Sequence, residues 1–467
     1  MTSRIPPRFS RATWLACVTL ISLLTVPLHA ENVKSITQYG ITWTFNKAVP
    51  SGQFCNGDFW VLGPVDVISI STDLHAPGFT PQPGEDGSMV NPGTTQKQGY
   101  DNRLKSYDAK LNASLPGGEP ISAKKPLKLP AGSSLVSMVS WLYRSPSDAE
   151  PGIPRINGGT NTPRPVTRSG AILTVLAEPA PTGSFRPAYC GTDKSIKFNV
   201  SDLDRSQLKD LPAVAGAPQV EDIAKRIQRP WIDHVFEFLG AFIHPSENMP
   251  NYGREMAVTL NSAALLLNLD FSKLPGSPSK DDLLISFVQH GIDFTGIADN
   301  GGGWPANGGH HAGRKLPIIF AGVLLNDPHM KSVGERDTRF QEDEQTFFVS
   351  QADVDMTHSD KWNPDKRGGE PVPYTAEDIG MPEWGIRHAT QPEMDNKNWV
   401  ASYRSINNSY IPGFVLLARL MGVEEAWNHA PMFAYADRVM EGRDFGKGTN
   451  DPSAFLVAMW EAYNPKP

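Results

Sequence analysis

From residue 31 to about 180 the chain alternates. Ile41, Trp43 and Phe45 are separated by threonines, the period of a strand with one buried face. Residues 59–70 are rich in β-branched and aromatic side chains, and 135–143 and 171–176 read the same way. Stretches dense in Pro, Gly, Ser and Asp, at 77–98 and 145–169, separate them as loops. No long helical period occurs here. The pattern predicts an antiparallel β-sandwich-like domain over 31–195.

A polar, then Pro/Ala-rich passage at 196–219 reads as a linker, and from Val220 the period becomes helical. Residues 231–243, 253–269, 279–297, the apolar run after Arg314, 411–421, 424–441 and 452–463 are predicted helices. In the second of these Met256, Leu260, Ala264 and Leu267 share one face. Ser279 and Asp282 form a variant capping box at the start of the third. The polar stretch 331–398 is long for a structureless loop, so it is expected to be functional or partly ordered. The fold class is therefore α+β in two domains, the second (220–467) an all-α array of helical hairpins.

A chain of 467 residues suits two domains, and its apolar content rules out global disorder. Arg4, Arg8 and Arg11 precede an apolar run over 14–28, and Leu28-His29-Ala30 ends it with a small residue. Residues 1–30 read as a signal peptide cleaved after Ala30, which predicts a periplasmic or secreted protein. No later stretch is long and apolar enough to span a bilayer. Cys17 leaves with the signal, and Cys55 and Cys190 are then either a disulfide or two separate buried thiols. Loss of the three arginines takes the formal charge from −7 to −10. That balance argues against nucleic acid as a partner. A polyanionic substrate would need a local basic cleft.

The chemistry concentrates in residues 299–325, DNGGGWPANGGHHAGRKLPIIFAGVLL. A glycine-rich loop carries Asn307, His310 and His311, then delivers Arg314 and Lys315 to a helix start. Pro317 fits the first turn of that helix. Two cations there oppose the macrodipole, and a local rule broken beside two histidines points to a site for something anionic. The alternative is a glycine-rich turn whose histidines cap helices or fill a core. Trp304, Trp384 and Trp399 lie in polar loops, where they either stack on sugars or anchor the loops. Three further clusters repeat the combination of Arg with His, Tyr or Asn: Tyr252 and Arg254; Trp384, Arg387 and His388; and Tyr403, Arg404, Asn408 and Tyr410. Each alone reads as a cap or salt bridge. Their recurrence suggests one shared cleft.

A β domain followed by helices bearing NYGRE, NGGHHAGRK and YRSINNSY resembles the (α/α) toroid polysaccharide lyases of the broad alginate lyase and heparinase II/III type. The resemblance covers roughly the last 250 residues. It implies a toroid-like catalytic domain and β-elimination on an acidic, uronic-acid-containing polysaccharide. There Asn307 with His310 or His311 would neutralise the sugar carboxylate. A histidine or tyrosine would take the C5 proton, and Tyr403 or Tyr410, tuned by Arg314 or Arg404, would protonate the leaving oxygen. Tyr252, Arg254, Trp304, Trp384, Arg387, His388, Trp399, Arg404 and Asn408 would line the substrate cleft. Asp299, Glu255 and Glu383 keep a glycoside hydrolase with a carboxylate pair as the alternative. A non-catalytic carbohydrate-binding or cell-surface scaffold protein is the other. The loop lacks the GK[ST] ending of a phosphate loop and no G-x-S-x-G elbow occurs. No cofactor is expected. Residues 353–360 carry cation-ligand side chains but read more simply as a solvated acidic loop.

Overall fold

The computed structural model describes residues 31–465 except 105, 146, 148, 155, 158–161, 236–242, 250–252, 275–278, 365, 367–369, 389–390, 398–403, 405–406 and 443–451. The signal segment, and with it Tyr252, Trp399 and Tyr403, lies outside the described residues.

The alternating segments form one sheet: β1 (Glu31–Gln38), β2 (Ile41–Gln53), β3 (Phe59–Leu62), β4 (Val65–Thr72), β5 (Gly87–Val90), β6 (Leu127–Leu129), β7 (Ser133–Ser140) and β8 (Thr167–Leu176). The order is β5-β7-β8-β3-β2-β4-β6, with β1 on β2. The expected antiparallel pairing holds except between β3 and β8, which run parallel with Phe59 opposite Leu173. A parallel pair needs a long return, and the chain between these strands supplies one. The sheet curls: Trp43 on β2 donates its indole N–H to Ser137 on β7, 2.9 Å away and three strands over.

The two faces of the curled sheet have different partners. On β7 and β8, Leu135, Val139, Ala171, Leu173 and Val175 pack inside the curl with Trp43. Val136, Met138 and Ile172 point the other way and join the core of the helices. That second hydrophobic cluster is continuous from Met89 and Tyr100 to Met459, so the helical region is built directly onto the sheet.

The main helices are α1 (Val220–Ile227), α2 (Gly253–Leu267), α3 (Lys280–Asp299), α4 (Lys315–Leu324), α5 (Ile411–Met421), α6 (Ala430–Gly442) and α7 (Ala454–Tyr463). Met256, Leu260, Ala264 and Leu267 are all buried, as their spacing predicts. The Ser279–Asp282 capping box forms at the start of α3. Two expectations fail. Residues 231–235 and 243 are not helical. The Trp231 indole caps the α1 carbonyl of Arg226 and the Asp233 backbone N–H bonds the Tyr189 hydroxyl, so tertiary partners replace a helical ladder. The predicted 424–441 helix breaks at Asn428, whose φ of 54° is a left-handed C-cap and whose amide bonds Gly334 O.

The polar stretch is partly ordered. Helices Gln341–Gln345 and Gln351–Thr357 flank the strand Thr346–Phe348, which pairs with Pro382–Trp384. Asp353 caps the second of these helices and faces Arg387 at 3.4 Å. Among the described residues no group of three or more His, Cys, Asp or Glu is arranged to hold a metal ion, and no helix is long and apolar enough to cross a membrane. Cys55 and Cys190 are separate thiols, and burial pushes both up to about 12.

Candidate functional site

The glycine-rich loop is held from beneath. The Gln341 side-chain oxygen accepts the backbone N–H of Asn307 (3.1 Å) and of His311 (3.0 Å), while its amide donates to the Tyr410 hydroxyl (3.3 Å). Gln345 donates to Gly308 O (2.8 Å) and Ile386 O (2.9 Å), fastening the loop to the segment that carries Arg387 and His388. Glycine is required where α2 begins: a Cβ on Gly253 would overlap the His310 carbonyl and Cα. Thus Gly253, the 307–311 loop, Ile386 and Tyr410, distant in sequence, are held together through Gln341, Gln345 and the close approach of α2.

Asp233 organises the interior of the cluster. Its Oδ2 accepts Arg314 Nε at 2.6 Å and the Trp304 indole at 2.8 Å, and its Oδ1 lies 3.1 Å from His244 Nε2. Burial favours the neutral carboxyl, but Arg314 and His244 outweigh it and hold Asp233 well below the usual carboxylate range. Arg314 is 0% exposed and also donates to the carbonyls of His310 and Ala312. Lys315 pairs with Asp343 and the Trp427 carbonyl, both at 2.5 Å. The two cations that oppose the helix dipole are therefore neutralised by the protein's own acceptors, and the anion inferred from them is internal.

The two histidines differ. His310 Nε2 lies 3.1 Å from Arg164, a residue of the strand-rich half. Burial, then Arg164, His311, Arg314 and His388, push His310 well below its ordinary value. His311 directs Nδ1 at the Pro305 carbonyl, 2.8 Å away. A carbonyl only accepts, so Nδ1 carries the proton and Nε2 holds the lone pair. Among the described residues none bonds that Nε2. Burial and Arg314 lower His311 to about 4, so the ring is neutral at pH 7. Asn307 is half-buried, and its side-chain amide makes no hydrogen bond among the described residues.

The other sequence-predicted residues lie deeper or to the side. Trp304 is buried and stacks on Phe340 at 5.7 Å. Trp384 is buried in the shared core. Arg404, also buried, pairs with Glu383 at 3.2 Å and donates to Asn396 O. Tyr410 is 0% exposed, and Asn408 accepts the Tyr435 hydroxyl. Arg387 is half-buried between Asp353 and Asp395 and lies over the Phe347 ring; Arg254 and His388 are half-buried.

Sequence reasoning missed Arg164, Asp233, His234, His244 and Gln341. His234 is wedged edge-on between Tyr100 and Tyr189. Asp233-His234 and His244 flank a run that reads as a helix, and a charged pair within an apolar helix is the signal that was there. Gln341 had none, because a glutamine in a polar stretch is unremarkable until its partners are placed. Comparison of the chain with protein-family models, with curated proteins and with solved structures gave no match.

Proposed function

We propose that the chain is a secreted lyase that cleaves a uronic-acid-containing polysaccharide by β-elimination, on a β-sandwich-like domain followed by an (α/α) toroid-like catalytic domain. The observation that carries this reading is the His311 ring, neutral, fixed through Nδ1–H to Pro305 O, and presenting an uncommitted Nε2 beside Asn307 and His310. A fixed tautomer whose second nitrogen is taken by none of the described residues is what a general base needs.

In the reaction the uronate carboxylate lies against the Asn307 amide and the Arg164–His310 pair. Neutralising it acidifies the C5 proton. His311 Nε2 takes that proton, the electron pair forms the C4–C5 double bond, and the C4–O bond breaks. The leaving oxygen takes a proton from a tyrosine. Tyr410 lies behind Gln341, so Tyr403 is the acid. Arg314 acts through position, holding Asp233 and the loop carbonyls. Arg254, Arg387 and His388 bind more distant sugar units. Two of the three acids that kept a hydrolase as the alternative are engaged in ion pairs: Asp299 with His329 and Arg336, and Glu383 with Arg404 and Arg438.

The test is incubation of the mature protein with alginate, glucuronan, pectate and glycosaminoglycans, following the ultraviolet absorbance of the conjugated unsaturated uronate. A rise with one polymer, lost in His311→Gln, supports the lyase and names its substrate. New reducing ends without the absorbance overturn it in favour of hydrolysis. Binding without either product overturns it in favour of a carbohydrate-binding protein.

A further inference from the structure

A cavity of about 280 Å³ lies at the seam between the strand-rich half and the helices, and it shares no lining residue with the His311 cluster. Three segments build it: the extended chain after β8, the second half of α3, and the turn Asp327–Met330. Its floor is apolar, with Phe185, Phe198, Ile292 and Met330. Its rim carries three carboxylates, Asp193, Asp299 and Asp327, against Lys197 and His329. The volume is at the lower end of ligand-sized pockets, roughly 300 Å³ and upward. That admits one ring or a short alkyl chain and excludes a polymer.

The rim charges are not equivalent. Asp193 is matched to Lys197 at 2.9 Å. Asp299 is matched to Arg336 at 2.5 Å and His329 at 2.8 Å. Asp327 is different. It is half-buried, its Oδ1 accepts the Met330 N–H as a helix cap, and its second oxygen makes no hydrogen bond among the described residues. Its charge adds to those of Asp193 and Asp299 in raising Lys197 above its ordinary value. A half-buried carboxylate not held in an ion pair of its own, at the edge of a phenylalanine-lined floor, favours a cation twice over, by charge and through the ring faces.

We propose that this cavity is a binding site for a small organic cation, its apolar body on the Phe185–Phe198–Ile292 floor and its ammonium on Asp327. The complementarity is specific in sign. An anion of the same shape would meet three carboxylates and would find Lys197 already engaged by Asp193.

Calorimetric titration of the full mature chain with phenethylamine, and with phenylacetate as the charge-reversed control, tests the site. Saturable binding of the amine alone is expected. Asp327→Asn keeps the helix cap, since asparagine caps as well as aspartate, and removes the charge. It should weaken the amine about five- to tenfold, the loss of one partly screened attraction. Ile292→Trp, filling the floor, should abolish binding, and its thermal unfolding shows whether the fold survives. Equal binding of phenylacetate, unchanged affinity in Asp327→Asn, or no saturable binding of the amine to the wild type overturns the proposal. None of these outcomes bears on the lyase reading, which is read in a separate assay.

Discussion

Arg314 and Asp233 form a buried ion pair, Nε to Oδ2 2.6 Å, that joins the start of α4 to the segment after α1. The same carboxylate holds the Trp304 indole, and the same guanidinium holds the His310 and Ala312 carbonyls. The loop that presents His311 is thus fixed at both ends by one pair of charges.

Removing half of that pair should be severe. Asp233→Ala leaves a buried guanidinium without its counter-ion, which costs about 3–5 kcal/mol. The urea midpoint should fall accordingly. A shift within error of zero would mean that water or another acid replaces Asp233.

The histidines set an acid limit. Folded-state values of about 4 for His234, His290 and His311 lie below the ordinary 6.5, because burial disfavours the charged ring. The unfolded chain then binds the extra protons. Stability is full above 6.5 and falls as pH drops from 6.5 towards 4, by about 2 kcal/mol per histidine near pH ~5. Asp233, depressed in the folded state, adds its own loss only at lower pH, as it protonates. His234 makes no hydrogen bond among the described residues and packs between rings, so His234→Phe should flatten the slope of stability against pH by one group. Equal slopes in the two proteins would refute this account.

Gly253→Ala places a methyl against the His310 backbone. Overpacking of this kind costs about 1–3 kcal/mol. Because the displaced segment carries His311, turnover should fall by more than the stability loss accounts for at a temperature where the variant is folded. Unchanged turnover would separate α2 from the site.

Gln341→Leu removes the acceptor shared by the Asn307 and His311 amides. Each unsatisfied buried N–H costs about 1–3 kcal/mol. Hydrogen exchange at those two amides should accelerate relative to the core of α4, with kcat lowered more than KM is raised. Protection equal to wild type would show that the loop is held by other contacts.

His311→Gln should lower turnover about 10²–10⁴-fold, the range for a lost general base, with KM little changed. Arg164→Ala, acting on the bound carboxylate, should raise KM as well. The reverse pattern would exchange the roles of His310 and His311.

Much of the local structure was legible. The alternation around Trp43 and along 171–176 marks strands because a period of two can bury only one face. The Met256–Leu267 stripe and the Ser279–Asp282 box mark helices for equally local reasons. Residues 231–235 misled because their apolar spacing is helical while the Asp233 backbone N–H is taken by the Tyr189 hydroxyl, a partner that no window of sequence contains. The parallel β3–β8 pair and the curl were hidden for the same reason.

The sequence by itself determined where strands end and helices begin, and it placed His310, His311 and Arg314 on one glycine-rich loop. Periodicity, capping and glycine are local properties of the chain. The tertiary structure decided that Arg314 and Lys315 face internal acids, that Arg164 arrives from the strand-rich half, and that the His311 lone pair is on Nε2. Those are pairings between residues far apart in sequence, and only the packed chain brings the carbonyl, the carboxylate and the cation within hydrogen-bonding distance.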